Sequence, residues 1–505
     1  MSSTNRIAIT SAVMCATMMT TLDTTIANVA LPHMMGSLSA AADQITWVLT
    51  SYIVASAIMI PASAWLVHRL GRKRIFLLSI AGFTLSSMLC GLAMNLPEIV
   101  IFRVLQGAAG AALVPIAQAI LLDINPPEHH GRAMAMWGVG TLVGPILGPA
   151  LGGFLTEHLS WRWCFYINLP IGVLAFAGVS AFLSKDGAPR RVRFDTFGFI
   201  SLVMFVGGFQ LMLDRGPGED WFNSAEIWAE ALLSLAGLWM FVTHTLTAER
   251  PLFDRALACD VNFATATVFG FVVGVLMFAT SAIIPSMLQN VMGYPVMVAG
   301  FVSMPRGIGS MVAMFTVGRL IGKVDVRILL FVGLLVSAVS SWMMSSYDLM
   351  MDSGPVAVAG QVQGVGTGLL FVPLSTIAFA TIAPTLRPEA SAMFSLIRNM
   401  GASAGISVLQ ALVVSNTQTM HSSLAGRFDP ADAAIRADLP RWFDLGRPEG
   451  LATLNAELTR QASMVAYVDD YRLMFIVTLI CAPLVLLMRS PGQTRPRSAE
   501  PAAAE

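Results

Sequence analysis

The fold is decided by residues 138–153, which read GVGTLVGPILGPALGG. Glycine recurs there at every fourth position, at Gly140, Gly144, Gly148 and Gly152. In a helix these positions form one smooth stripe, against which a neighbouring helix can pack at backbone contact. Pro145 and Pro149 each remove a backbone donor from the same stretch, so a soluble helix would break here while a membrane helix bends. The stretch predicts a bent membrane helix. This helix either serves only to pack closely against a neighbouring helix or acts as a hinge in the function of the protein.

Composition places the chain in a membrane. Of its 505 residues, 55% are hydrophobic and 12% are charged, against about 25% charged residues in soluble domains. Lys plus Arg equals Asp plus Glu at 30 each, so no net charge points to a nucleic-acid partner. The five cysteines stand singly, mostly in apolar runs, which speaks against a disulfide framework or a metal site.

Apolar runs of about 20 residues per crossing predict about fourteen transmembrane spans in an all-α membrane protein. We interpret the first run, from about Ile7, as a retained helix and not as a cleaved signal peptide. The predicted divisions are a six-helix bundle at 1–194, an inserted helix pair at 195–260, a second six-helix bundle at 261–490 with a long loop at 416–469, and a disordered tail at 491–505.

The second half of the long loop, from Gly450, has the spacing of an amphipathic helix. It would lie on the membrane surface, extend the last span outward, or dock a partner. Lys and Arg concentrate on one side of the predicted membrane, whereas the short loops of the other side hold only Arg162 and Arg215. Because cytoplasmic loops collect these residues, both termini are expected in the cytoplasm.

An internal repeat relates the two predicted bundles. At one constant offset, three residues of the first bundle match three of the second: Gln106 with Gln363, Gly144 with Gly401 and Gly148 with Gly405. Two related bundles that rock about a site between them are typical of transporters. Arg103 aligns with Gly360, so this charge belongs to the first bundle only.

Several motifs make the chain similar to a known family. They are LDTTIANVALP at 22–32, RVLQG at 103–107, the glycine-proline stretch at 138–153, WRWCFYINLPIG at 161–172 and LMLDRGPGEDWF at 211–222. Together they resemble the major facilitator superfamily, and within it the fourteen-helix drug:proton antiporters of the EmrB/QacA type. The resemblance covers almost the whole length. It implies the major facilitator fold of two six-helix bundles plus two inserted helices, with the glycine-proline stretch as the motif of antiport.

One loop departs from the family pattern. The superfamily segment G-x-L-x-D-R-x-G-R-K/R reads AWLVHRLGRK at 64–73, so His68 replaces the usual Asp while Arg69, Gly71 and Arg72 remain. A charge lock of the inner gate that depends on that Asp is therefore in question. His68 is either a pH-sensitive substitute or a solvated loop histidine.

Charges inside the membrane need a partner or a function, because each costs at least a few kcal/mol. Asp23 and Arg103 are expected at a similar depth, roughly 8–12 Å from the outer ends of their spans at 1.5 Å per residue. A buried carboxylate is pushed toward its neutral form, and a nearby guanidinium reverses this, so contact between the two could switch proton occupancy. We hypothesise that Asp23 carries a coupling proton and that Arg103 tunes it; the alternative is a fixed structural ion pair.

Arg306 is expected about ten residues into its span, near mid-membrane. It would face a watery cavity, pair with an acid of the other half such as Asp23, or meet an anionic substrate; the alternative is an arginine that snorkels. With Asn28 and Gln106 it is the candidate for the substrate cavity. Arg398 is a candidate for a gate or helix-dipole contact.

These observations together predict a proton-driven antiporter that exports hydrophobic drugs from the cytoplasm by alternating access, in the bacterial inner membrane. It would use the proton motive force and no cofactor, and no phosphate-loop motif or catalytic constellation indicates an enzyme. The alternatives are a proton-coupled importer of a small metabolite and a non-transporting receptor or scaffold. The resemblance also implies, by analogy, a periplasmic adaptor protein and an outer-membrane channel as partners.

Overall fold

The computed structural model describes residues 3–40, 42–184, 193–426 and 447–487. Within these ranges the secondary structure is helical, apart from one isolated bridge between Ile321 and Val324. The long helices are α1 Ser3–Leu38, α2 Trp47–Leu70, α3 Arg72–Leu92, α4 Leu96–Ile124, α5 His130–His158, α6 Trp163–Phe182, α7 Thr196–Arg215, α8 Ala225–Thr247, α9 Val261–Asn290, α10 Val296–Leu320, α11 Val326–Met344, α12 Ser353–Ala380, α13 Arg387–Ala425 and α14 Pro448–Cys481. The prediction of an all-α membrane protein is confirmed. We call the side on which α1 begins the N-terminal side, and the opposite one the far side.

Thirteen helices of the described chain are long and apolar enough to cross a membrane, where about fourteen spans were predicted. The difference lies in α14, which is absent from the thirteen. Its apolar part contains Asp469, Asp470 and Arg472, and the regular helix ends at Cys481. The last predicted span is therefore present as a helix, but its composition alone does not identify it as a membrane span.

The predicted loop at 416–469 is wrong at both of its ends. Helix α13 continues to Ala425, and α14 already begins at Pro448. Of the three alternatives for the second half, the continuous helix Pro448–Cys481 fits an extension of the last predicted span. Ala, Leu and Glu favour helix beyond the apolar region, and His421 Nε2 lies 2.9 Å from Asn455 Oδ1, which ties the two extensions together. Residues 427–446 and the predicted disordered tail at 491–505 lie outside the described residues.

The glycine stripe of α5 packs against α1. Helix α5 runs without interruption through Pro145 and Pro149. A Cβ atom built on Gly144 would lie 2.5 Å from the carbonyl carbon of Thr21, and one built on Gly148 would lie 2.1 Å from Thr25 Oγ1. Thr25 Oγ1 also donates a hydrogen bond of 3.1 Å to the carbonyl of Gly144. Only glycine permits this approach, as the sequence predicted.

The opposite face of α5 packs against α10 over its whole length. On the N-terminal side Gly131 contacts Ile321, in the middle Gly138 contacts Met314, and on the far side Gly300 of α10 contacts Pro149. Small residues thus permit close approach on both faces. Helix α5 is consequently held between α1 of the first half and α10 of the second.

The two halves use corresponding crossings. In the second half α9 packs on α13, where Cβ atoms on Gly401 and Gly405 would meet the backbone of Phe271 and Val275. These glycines align by the repeat with Gly144 and Gly148 of the α1–α5 crossing. The division of the chain at residues 194 and 260 itself stays a prediction.

Helices α7 and α8 form a pair of their own. A Cβ atom on Gly237 would lie 2.4 Å from the backbone nitrogen of Phe205, and Ser234 Oγ donates to the carbonyl of Phe205 at 3.1 Å. On its other side α7 joins an apolar cluster in which Leu202 packs with Ala57 of α2 and Leu396 of α13. The pair therefore lies along the junction between the two halves.

We expect Gly144→Val to destabilise the protein by about 1–3 kcal/mol, because the added side chain must push α1 and α5 apart. The measurement is the thermal unfolding midpoint of the purified protein in detergent. Gly153→Ala is the matched control on the same helix, since no atom lies within 4 Å of its Cβ position. Equal midpoints for the two variants would contradict the close α1–α5 contact.

Candidate functional site

Asp23 of α1 lies at the centre of a buried polar cluster in the first half. Arg103 Nη1 donates to Asp23 Oδ2 at 2.6 Å, and the amides of Gln106 and Asn168 both donate to Oδ1 at 2.8 Å. The side chains of Asp23 and Arg103 are fully buried. All three side chains donate to the carboxylate oxygens, so the cluster compensates the cost of burying this polar group.

A second ring of contacts holds the donors in place. Arg103 Nε donates to the carbonyl of Val48 at 2.9 Å, and its guanidinium carbon lies 4.3 Å from the ring centre of Tyr52. The Asn168 amide also donates to Ser87 Oγ at 2.9 Å. Five helices, α1, α2, α3, α4 and α6, therefore contribute to one network around Asp23.

This arrangement seals Asp23 from water in the conformation described. Asp23 is 1% exposed and Arg103 0%. A proton can reach the carboxylate only if α1, α4 or α6 moves, and such a movement would separate Asp23 from its donors. The sequence placed Asp23 and Arg103 at a similar depth, and the structure brings them into contact; their role in coupling stays a prediction.

The three candidates for the substrate cavity do not meet at one place. Gln106 belongs to the cluster around Asp23, whereas the Asn28 side chain is exposed on α1. Arg306 of α10 is half-buried and donates from Nη2 to the carbonyl of Met277 at 2.7 Å. Asp23 is therefore not the partner of Arg306 here, because Arg103 occupies that position. Their joint role in one cavity stays untested.

Arg398 is buried within α13 and does not lie at the end of this helix. Its guanidinium carbon lies 5.4 Å from the ring centre of Phe371 in α12 and 6.0 Å from that of Phe394. Nε and Nη1 have no hydrogen-bond acceptor among the described residues. The predicted contact with a gate or a helix dipole stays a prediction.

The two halves are linked on the N-terminal side by a charged network. Asp123, at the end of α4, accepts from Arg72 of α3 and, at 2.5 Å, from Arg387 of α13. Beside it the buried Ser391 Oγ of α13 donates to Gln118 Oε1 of α4 at 2.8 Å. Asp123 thus links Arg72 of the first half to Arg387 of the second half.

The residues at 64–73, where the sequence departs from the family pattern, lie beside this charged network. His68 Nε2 is 3.2 Å from Glu389 Oε1 of α13, so the histidine faces the second half and not bulk solvent. Gly71 has φ of 90°, a left-handed conformation that lets α2 end and α3 begin at one residue. The Arg69 guanidinium packs over the ring of Trp65 at 5.2 Å. Whether His68 serves as a pH-sensitive substitute stays a prediction.

Sequence reasoning missed three polar residues of these networks and one buried carboxylate outside them. Asn168 holds Asp23, Asp123 and Glu389 link the halves, and Asp470 is a buried carboxylate of α14 with no acceptor or donor partner at Oδ2 among the described residues. For Asn168 and Asp470 a signal existed, since each is a polar residue beside or within an apolar run. Asp123 and Glu389 resemble ordinary charges at helix ends.

The fold and the site define a class of protein: a multi-pass helical membrane protein with two related halves around intramembrane charges. A family model described as Major Facilitator Superfamily matches residues 13–406. The chain belongs to the Major Facilitator Superfamily. The resemblance found in its motifs is confirmed, and with it the conclusion that the chain is a membrane transporter and not an enzyme.

Curated relatives match nearly the whole chain. The multidrug export protein EmrB of Haemophilus influenzae is 35% identical over 463 residues, covering 91% of each chain. The fatty acid resistance protein FarB of Neisseria gonorrhoeae is 33% identical and covers 94% of each. The probable multidrug resistance protein EmrY of Escherichia coli is 33% identical, over 96% of this chain and 95% of the relative.

Solved structures share the fold. The human organic anion transporter MFSD10 superposes with a TM-score of 0.60 at 13% identity, over 94% of this chain and 99% of that one. The proton:xylose symporter XylE also gives a TM-score of 0.60, at 12% identity, over 96% and 97% of the two chains. The predicted major facilitator fold is thereby confirmed.

We expect Arg103→Gln to destabilise the folded protein by about 3–5 kcal/mol, because it leaves the Asp23 carboxylate buried without its cation. The thermal unfolding midpoint in detergent measures this. The double variant Asp23→Asn with Arg103→Gln removes both charges and should recover part of the loss. A double variant that is as unstable as the sum of the two single variants would contradict the pairing.

We expect Asp123→Asn to open the N-terminal side. The reagent is a membrane-impermeant maleimide, and the readout is the labelling rate of the thiol introduced by Ser391→Cys, followed by peptide mass spectrometry. Loss of the carboxylate removes the acceptor that Arg387 shares with Arg72, so labelling should become several-fold faster. Glu128→Gln, an exposed acid near the same helix end, is the control. Unchanged labelling in Asp123→Asn would refute this linkage of the halves.

Proposed function

We propose that this protein is a proton-driven antiporter that exports hydrophobic compounds, a multidrug efflux transporter that works by alternating access. The buried Asp23 cluster is the observation that carries the proposal. It is supported by the relatives, whose names are multidrug export proteins and a fatty acid resistance protein. A carboxylate in a membrane helix, held by movable donors, has the properties required of a proton carrier.

The position of the Asp23 cluster on α1 couples it to α5, the helix that packs against both halves. Asp23 lies on α1 between Leu22 and Thr25, which contact Gly144 and Gly148 of α5. A change in the α5–α10 contact therefore acts directly on the helix that bears Asp23. Under the proposal, opening toward the far side weakens the donation from Arg103 and lets Asp23 take up a proton.

Alternating access requires that the N-terminal side close when the far side opens. The links of Asp123 with Arg387 and of His68 with Glu389 join the halves on the N-terminal side. We propose that they form when this side is closed and break when substrate enters from it. We further propose that this side is the cytoplasm, with both termini inside, in the bacterial inner membrane.

The proton motive force is the proposed energy source, without a cofactor. One charge that crosses the membrane down 100 mV supplies about 2.3 kcal/mol, to which the pH difference adds. The proposed partners are a periplasmic adaptor and an outer-membrane channel. The ends of α13 and α14 extend past the apolar regions on the far side, where they provide a protein surface for an adaptor.

The test uses everted membrane vesicles with an acidified interior and a panel of hydrophobic dyes and antibiotics. We expect at least one compound to release protons in wild-type vesicles, and Asp23→Asn to abolish the release because the neutral amide cannot carry a proton. Glu128→Gln should behave as wild type. Normal proton release by a correctly inserted Asp23→Asn variant would refute the coupling role, and no release by any compound would refute antiport.

A further inference from the structure

A column of stacked side chains crosses the junction between the two halves. The Arg398 guanidinium lies over the Phe371 ring at 5.4 Å, and Phe371 stacks on Trp137 of α5 with ring centres 5.6 Å apart and planes 19° apart. By helix rise the three residues lie roughly 10–17 Å from those ends of their helices that are on the N-terminal side, which is inside the bilayer. Arg398 is 7% exposed and Trp137 1%.

The column contains donors without acceptors. Arg398 Nε and Nη1, Trp137 Nε1 and Ser395 Oγ are buried, and none has a hydrogen-bond partner among the described residues. Ser395 precedes Arg398 by three residues on α13, so the two lie on one helix face. No described carboxylate forms an ion pair with Arg398, in contrast to Arg103, whose charge is balanced by Asp23.

A buried guanidinium without a counter-charge is strongly unfavourable, and unpaired donors add to the cost. The column therefore presents a positive charge and buried donors that suit an anion. The planar fork of an arginine matches a carboxylate, which can accept two parallel hydrogen bonds. Phe371, Phe394 and Met314, which contacts the neighbouring Gly138, surround this position with apolar and aromatic surface.

We propose that the column of Arg398, Phe371 and Trp137 is the subsite that binds the anionic head group of an exported apolar carboxylate. The aromatic rings contact the apolar body of the ligand, and Arg398 and Ser395 donate hydrogen bonds to its carboxylate. Arg306 of α10 is half-buried and lies about one turn of helix farther from the N-terminal side. This inference rests on the proposed export function and adds a substrate class to it.

The subsite also depends on the conformation. Trp137 belongs to α5 of the first half, whereas Phe371 and Arg398 belong to the second. A movement of the halves against each other separates the stack. A carboxylate that balances Arg398 would therefore stabilise the conformation in which the column is closed, because a ligand shifts a population by its preference for one state.

The experiment measures ligand-dependent shifts of the thermal midpoint for the full-length protein in phosphatidylcholine nanodiscs at pH 8. The probes are dodecanoate, dodecanol and dodecyltrimethylammonium, which share one chain and differ in charge. We expect dodecanoate to stabilise the wild type most and Arg398→Gln to weaken its apparent affinity at least about tenfold, since charge-assisted bonds are lost. Arg319→Gln, an exposed arginine on α10, should bind dodecanoate as the wild type does.

Arg398→Lys keeps the positive charge but loses the planar guanidinium, so its affinity for dodecanoate should be intermediate. This second variant serves the test if Arg398→Gln does not fold. The inference is overturned if dodecanoate binds wild type and Arg398→Gln alike, or if dodecyltrimethylammonium stabilises the wild type as well as dodecanoate does. Proton release driven by the panel of hydrophobic dyes and antibiotics in everted vesicles separates the two levels. Normal release with failed dodecanoate binding refutes the subsite alone, whereas absent release with every probe refutes antiport.

Discussion

The backbone contact between α1 and α5 is the constraint on which the rest of the structure depends. Gly144 and Gly148 leave no room for a Cβ atom, so α1 is held in a fixed position along α5. Because α1 bears Asp23, the same contact sets where the buried carboxylate lies relative to Arg103 and Asn168. The other face of α5 packs on α10, so one helix connects the carboxylate of the first half to the second half.

Three arginines that lie deep in their helices, Arg103, Arg306 and Arg398, meet different environments. Arg103 is balanced by Asp23 and two further acceptors, so its burial is compensated. Arg306 reaches one backbone carbonyl, that of Met277. Arg398 faces aromatic rings and leaves two nitrogens unpaired among the described residues. Since an uncompensated charge in hydrocarbon is costly, Arg398 is the arginine for which we propose a ligand, whereas the charge of Arg103 is already balanced within the protein.

The N-terminal side shows how the chain accommodates its departure from the family loop. With His68 in place of an aspartate, the loop has no carboxylate for its own arginines. The structure supplies acids from two other helices: Asp123 of α4 accepts from Arg72 and Arg387, and Glu389 of α13 lies beside His68. The network thereby joins the two halves directly, and a histidine that would otherwise be a surface residue faces an acid of the opposite half.

The sequence by itself determined the class of protein, the helices and the close packing of the glycine stripe, because apolar length and fourfold spacing are local properties of the chain. It also placed Asp23 and Arg103 at a common depth, since helix rise converts residue number into depth. It left open whether the amphipathic helix from Gly450 extends the last span, which the continuous helix α14 resolves. Only the tertiary structure decided that Asn168 completes the Asp23 cluster, that Asp123 binds Arg387, and that Arg398 and Trp137 share one column. Those contacts join helices far apart in sequence, and their geometry depends on how helix faces rotate and pack, which no periodicity along one chain encodes.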